Sequence, residues 1–475
     1  MNRNAYAMDS IPSRWKQSIR LLVWCAPGFF FPVFASAANP EKGLVVIYLE
    51  VPAAIGKDVV LDLEDMVLIG DKDSLTLEAV KTSLSAKEYS GQQILLCEQA
   101  IPSGNYAALR LNFKHVVVPS QSNKAAPALP GKGVSTAIEL KVVPGAALPI
   151  FLYWDPGLDN YDGKIYSPSI QSKPERRSTP AAMAFVSNTG SNYISCIDRF
   201  RQRVVDVIGV GQGPMDMVFA SMRQDLFVAN SGSDNISVID VRSGRMERNI
   251  SLRGGDKPGR LALASDQSRL FVLNGGSNSV SVVDLLGYQE THRIHLEAPP
   301  AALAMDDQNS VIYVTSRDSD RLFAIDPASF SVTTVLRFDA NLEEIAFSRT
   351  SRKLFLDRPA QRLVSVFDIA KNTVEINLKL CGPATGFAYQ RISSTLFASI
   401  PDCNLISILK PNENLDIGAI NLPNAPGKIS LDPESKYLMV TFPLPGKIGF
   451  YNANSWESHG SLDVGKSPFA ICFGQ

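Results

Sequence analysis

Histidine is scarce in this chain, with four in 475 residues, at positions 115, 292, 295 and 459. His292 and His295 stand three apart on an extended segment and point to opposite faces, so they cannot chelate together. A metal site built on imidazoles is therefore not expected. Excess charge of one sign is lacking too: 46 Lys and Arg face 47 Asp and Glu. No basic run exceeds Arg176-Arg177, which argues against nucleic acid as an electrostatically driven partner. Neither a C-x-x-C-H haem site nor a G-x-S-x-G nucleophile elbow occurs. Beyond the amino terminus, no apolar run approaches the ~20 residues that span a bilayer.

The amino terminus is different. Arg14, Lys16 and Arg20 precede an apolar stretch from Leu21 to Phe34, and Ala35-Ser36-Ala37 fits an A-x-A cleavage site. Residues 1–37 are thus expected to be a secretory signal. Pro27, Gly28 and Pro32 interrupt the stretch and argue against a retained anchor, and bulky Trp24 argues against a lipid on Cys25. The mature chain is expected to be exported, to the periplasm or cell surface of a bacterium, with no transmembrane span. Signal removal leaves five of the six cysteines, so at least one is unpaired.

What is abundant is repetition. An apolar phrase recurs as Ala184-Phe185-Val186-Ser187-Asn188, Leu226-Phe227-Val228-Ala229-Asn230 and Leu270-Phe271-Val272-Leu273-Asn274. Further copies centre on Tyr313, Phe355, Phe397 and Leu438, in steps of about 42 residues. In the second copy, turn residues separate four short alternating segments beginning near Met215, Leu226, Asn235 and Met246. Seven copies of a four-strand unit at this period predict a seven-bladed β-propeller. The first copy lacks its inner strand, and the terminal Ser467-Pro468-Phe469-Ala470-Ile471-Cys472-Phe473 matches Gly213 to Phe219. The carboxyl terminus is thus expected to close the ring.

The phrase, with Ser-Asn-x-Val-Ser-Val-Ile-Asp after it, resembles the YVTN family of propeller repeats over residues 181–475. The resemblance implies an exported or cell-surface bacterial or archaeal protein and no shared catalytic set.

Residues 38–172 carry strand candidates at Leu44–Glu50, Val59–Ile69, Leu75–Ala79, Gln92–Cys97, Tyr106–Val118, Ala137–Val143 and Leu148–Trp154. They predict a β-sandwich, with a helical turn over Lys81–Glu88 and an exposed loop over Pro119–Gly133. Residues 173–180 read as the linker. Ile101-Pro102-Ser103-Gly104-Asn105-Tyr106 resembles the I-P-x-G-x-Y phrase of transthyretin-like modules, which implies an accessory or adhesive domain.

Several motifs bear on chemistry. Gly460 to Ser467 satisfies G-x4-G-K-S, but Pro468 and a strand follow where a phosphate loop needs a helix. It reads as the turn into a propeller strand. Asp155, Asp159 and Asp162 gather oxygen donors on one loop and are the single calcium candidate; no other cofactor is expected. Alignment of the repeats puts Cys381 and Cys403 on one face of blade six, predicting a disulfide. Cys196 and Cys472 lie two strand spacings apart in blade one, beyond disulfide reach, and read as core thiols.

Position two after the inter-blade proline opens each inner strand, at the mouth of the central channel. Round the ring this position reads Ala470, Asp216, Arg260, Ala302, Glu344, Thr385 and Lys428. Two acids and two bases among small residues mark the mouth as the candidate ligand site. The reading that follows is a non-catalytic binding or scaffold protein engaging a protein, glycan or small ligand through the propeller face. The alternative is a periplasmic enzyme, a lactonase-like hydrolase or quinone-dependent oxidoreductase. A third reading is a surface-layer component. Nothing in the sequence specifies an oligomeric state.

Overall fold

The computed structural model describes residues 41–474 apart from 54–57, 72, 119–126, 130–132, 163, 176 and 307–310. The signal assignment, Cys25 and most of the Pro119–Gly133 loop lie outside the described residues. Strands dominate, and no α-helix occurs among the described residues.

Seven four-stranded antiparallel sheets follow one another from Met183 onward. Their inner strands touch in sequence and the last touches the second blade's, closing a ring. Blade one takes its inner strand from the end of the chain: Pro468–Phe473 pairs with Met183–Asn188. The second strand of each blade is apolar at every turn of the pleat because both of its faces meet neighbouring blades. Phe185, Phe227, Phe271 and Phe397 are fully buried there, with Phe355 1% and Tyr313 5% exposed. Each such ring contributes about 1.5–3 kcal/mol of burial.

The polar letters of the repeat have separate tasks. The Asn ending the second strand donates to a Ser of the third, from Asn188 to Ser195 (2.9 Å), Asn230 to Ser237 (2.9 Å) and Asn274 to Ser281 (2.7 Å). The buried amide nitrogens thereby find acceptors inside the blade. The Asp ending the third strand accepts from the amides of the next turn, as Asp240 does from Arg242 (2.8 Å) and Asp326 from Ala328 (2.7 Å). These are Asx-type turns.

Residues 42–172 form two facing sheets. One orders Ile170–Ser172, Ala147–Trp154, Lys42–Glu50 and Gln93–Pro102; the other contains Ser74–Leu77, Val60–Gly70, Gly104–Val117 and Val134–Val142, with Ser83–Ser85 on its edge. Of the helical turn expected over Lys81–Glu88, only its end turns, where Tyr89 N donates to Ser85 O (3.0 Å). Ser83–Ser85 pairs instead with Val60–Asp62, and Leu84 is fully buried in the sandwich core, so tertiary pairing overrides local preference.

The strand Lys42–Glu50 faces two cores. Val45, Ile47 and Leu49 point into the sandwich, while Val46 and Tyr48 join Val186, Tyr193, Val204, Phe450 and Leu462 of blades one and seven. The sandwich side chain Gln93 completes the contact, bonding the backbone of Val204 through both its oxygen (2.7 Å) and its nitrogen (3.0 Å).

Candidate functional site

The first channel-facing position of the seven inner strands falls at 216, 260, 302, 344, 386, 428 and 470. After the first step of 44, each is 42 residues on, so blades with different sequences place their residues at one height. All seven line a cavity of about 180 Å³ at the channel mouth. Asp216, Arg260, Ala302, Glu344, Lys428 and Ala470 are where the repeat alignment puts them. Blade six is displaced by one: Gly386 lines the mouth, and Thr385 turns aside to Ser399 and the carbonyl of Gly427. The inter-blade loop of that blade carries one residue more after its proline, Pro383, than the pattern assumed.

Small residues shape the cluster. Arg260 reaches over Ala302, and Lys428 over Gly386, to the same oxygen of Glu344. Arg260 Nη2 donates to Glu344 Oε1 at 2.5 Å, and Lys428 Nζ donates to that atom as well. A Cβ at Gly386 would come within 3.4 Å of Lys428 Cδ and 3.3 Å of its Cα, so any larger residue crowds the lysine stem. Asp216, across the ring, accepts from the amides of Met217 (2.9 Å) and Leu261 (3.1 Å). Phe469, on the rim from blade one, faces both cations, 5.5 Å from Arg260 Cζ and 5.6 Å from Lys428 Nζ. These are cation–π distances.

Burial sets the protonation of this cluster. Desolvation, reinforced by the Arg260 charge, lowers the Lys428 ammonium to about 8, against the pull of Glu344. Burial also raises Asp216, which Arg260 partly offsets. Beneath the rim, Asp357 is fully buried. Its Oδ1 accepts from Ala384 N at 3.2 Å, and among the described residues its Oδ2 has no hydrogen-bond partner. Desolvation lifts this carboxyl to about 8, and the carboxylate of Glu344 adds to the rise.

Phe469, Gly386 and Asp357 were not singled out by sequence reasoning. Phe469 was findable as the lone aromatic at the position before the ring residue, where the other blades have Met215, Gly259, Ala301, Glu343, Thr385 and Gly427. Asp357 was findable as the one acid in a column otherwise read by Ser187, Ala229, Leu273, Thr315, Ser399 and Thr441.

The other predicted positions lie apart from the mouth. Asp155 accepts from Gly157 N, and Asp162 from Lys164 N and Ile165 N, each folding its own turn. Asp159 takes Trp154 Nε1 (3.1 Å), Ser169 N (2.6 Å) and the hydroxyl of Tyr166. The three carboxylates therefore serve separate hydrogen bonds, and among the described residues no group of three His, Cys, Asp or Glu is placed to hold a metal. Cys381 and Cys403 are joined by a disulfide with Cα atoms 6.5 Å apart. It ties the entry of blade six's inner strand to the turn beyond its second strand. Cys196 is fully buried, whereas Cys472 is only half-buried on the channel-side strand. Gly460–Asp463 ends an outer strand and Pro468 opens the closing one.

Comparison with known proteins comes to the same architecture. A family model described as YNCE-like beta-propeller matches residues 165–473. No curated protein matches the chain. Among solved structures, hydrazine synthase of Kuenenia stuttgartiensis superposes with a TM-score of 0.51 at 15% identity, over 58% of this chain and 93% of that one. Dihydro-heme d1 dehydrogenase NirN, in complex with DHE, gives a TM-score of 0.50 at 13% identity, over 63% of this chain and 76% of that one. At such identities the likeness concerns the fold alone.

Proposed function

Since this chain belongs to the YNCE-like beta-propeller family, a fold that hosts many functions, we propose that it is an exported binding protein taking a small charged ligand at its channel mouth. One observation carries this reading. Four charged side chains from four different blades meet in a recess open to solvent, although ring closure needs no charge there. The recess, about 180 Å³, is smaller than the roughly 300–1,000 Å³ of drug-sized pockets. A ligand of a few heavy atoms suits it, and a protein or glycan partner would engage the surrounding face instead. Phe469 lies against both cations, and Arg260 and Lys428 supply the donors for an anionic group.

An enzymatic role at the same mouth has one observation in its favour, the lowered Lys428 ammonium, which suits proton transfer near neutral pH. Thermal shift against small carboxylates, phosphates, sugars, quinones and lactones tests the binding reading. A ligand at 100 times its Kd adds about 2.7 kcal/mol. The expected result is a shift with small anions that Arg260→Ala abolishes. A ligand that shifts both proteins equally would move the site elsewhere.

A further inference from the structure

We infer that the mouth captures a small 2-oxo acid, holding its carboxylate on Arg260 and its carbonyl carbon as an imine on Lys428. The inference rests on the mouth being a ligand site, as proposed above, and names the chemistry of its ligand.

The geometry supplies each part. Lys428 Nζ lies in the recess and already donates to Glu344 Oε1, so a proton acceptor touches the nitrogen that must lose a proton. Of the Arg260 donors, only Nη2 is engaged by Glu344 among the described residues. The remaining guanidinium N–H groups are free for a planar carboxylate, which the arginine fork recognises in bidentate fashion. Both cations converge on one Glu344 oxygen, which fixes their heads close together. That spacing suits two adjacent functional groups, a carboxylate and the carbonyl beside it. Ala302 and Gly386 leave the room, and Phe469 lies against both cations. Lysines activated by a desolvated pocket and a neighbouring cation are the ones that condense with carbonyls, and Lys428 meets both conditions.

The step balances without an oxidant. Nζ gives a proton to Glu344 and its lone pair attacks the keto carbon. The keto oxygen is protonated, and the carbinolamine then loses it as water, with protons returned from nitrogen and Glu344. One C=O bond is replaced by one C=N bond, one water leaves, and the iminium charge stays paired with Glu344.

Incubation of the purified protein with pyruvate or glyoxylate and cyanoborohydride at pH 7 reduces the imine to a stable amine, which peptide mapping locates. Lys371 is the internal reference: its side chain is 65% exposed, and Asp368 and Glu375 hold its ammonium charged. The expected result is at least tenfold greater labelling of Lys428 than of Lys371, cut to the reference level by Arg260→Ala in a protein that still melts cooperatively. Labelling of Lys428 no greater than Lys371 overturns the imine. If oxo acids nevertheless shift the melting temperature through Arg260, the binding reading survives that loss. If they neither label nor shift, and no other small anion shifts, both fall.

Discussion

Asp357 occupies a position where four other blades carry a hydroxyl, and those hydroxyls explain it. Ser187, Thr315 and Ser399 each donate to a carbonyl of the following blade, at 2.6, 2.8 and 2.6 Å, and Thr441 reaches Phe469 O at 3.5 Å. A neutral Asp357 carries what that role needs, since its protonated oxygen is a donor. The sign of its pH effect follows. Its folded value of about 8 lies above the ~3.9 of an unfolded Asp, so the folded state holds the proton more tightly. The contribution is complete below pH ~4, declines as pH rises, and is gone above about 8. Asp357→Asn keeps an acceptor and a donor without the titration. The melting temperature of the variant is expected to fall less than that of the wild type between pH 5 and 8.5, and parallel curves would refute the neutral carboxyl. The turn aspartates act in the opposite direction. Amide donors hold Asp240, Asp326 and Asp368 below the usual carboxylate range, so their contribution is present above pH ~4 and is lost in acid. Asp240→Ala should flatten the acid limb of the same curve. Neither behaviour was read from the sequence, because an acid's protonation depends on the blades folded around it.

Blades were legible as elements because their strands are short, apolar on both faces and separated by turn residues at a constant period. Register at the mouth was legible in that period, which runs 344, 386, 428; Thr385 was misplaced by counting from Pro383, where the loop is one residue longer. The closing strand tests how strongly the ring depends on a single element. Removing residues 466–475 leaves Met183–Asn188, buried along its whole length, with an unpaired edge, a known aggregation hazard. The truncated protein is expected to be insoluble or to melt well below the full chain, and an unchanged melting temperature would show that closure by the terminus is dispensable. The Cys381–Cys403 bridge is the second elemental tie. It spans 22 residues, for which chain entropy gives about 3 kcal/mol. Protein produced from residue 38 onward should titrate three thiols when denatured without reductant, those of Cys97, Cys196 and Cys472, rather than five. Cys403→Ser should lower the denaturant midpoint accordingly.

For the whole molecule, the consequential feature is that sandwich and propeller share a core. In the sequence, the unbroken apolar run Leu44 to Leu49 signals a strand covered on both faces. It does not say what covers the second face, because the covering propeller residues, from Val186 to Leu462, lie far along the chain. Residues 173–180 read as a linker, which leaves open whether the parts it joins share a core. The packing shows that they do. Tyr48 stacks on Phe151 at 5.9 Å within the shared cluster, Arg203 pairs with Glu50 at 2.7 Å, and Lys81 pairs with Asp463 of blade seven. The sandwich thus spans blades one and seven, the place where the ring is closed by strand pairing alone. Loss of that support exposes an apolar patch at the weakest seam, so the two parts should unfold together. Calorimetry of the intact protein is expected to give one transition. Tyr48→Ala, which removes a ring with no exposed surface, should lower stability by about 3–5 kcal/mol while leaving that transition single. Two resolved transitions, with only the earlier moved by Tyr48→Ala, would mean that the sandwich unfolds by itself and the propeller stands without it.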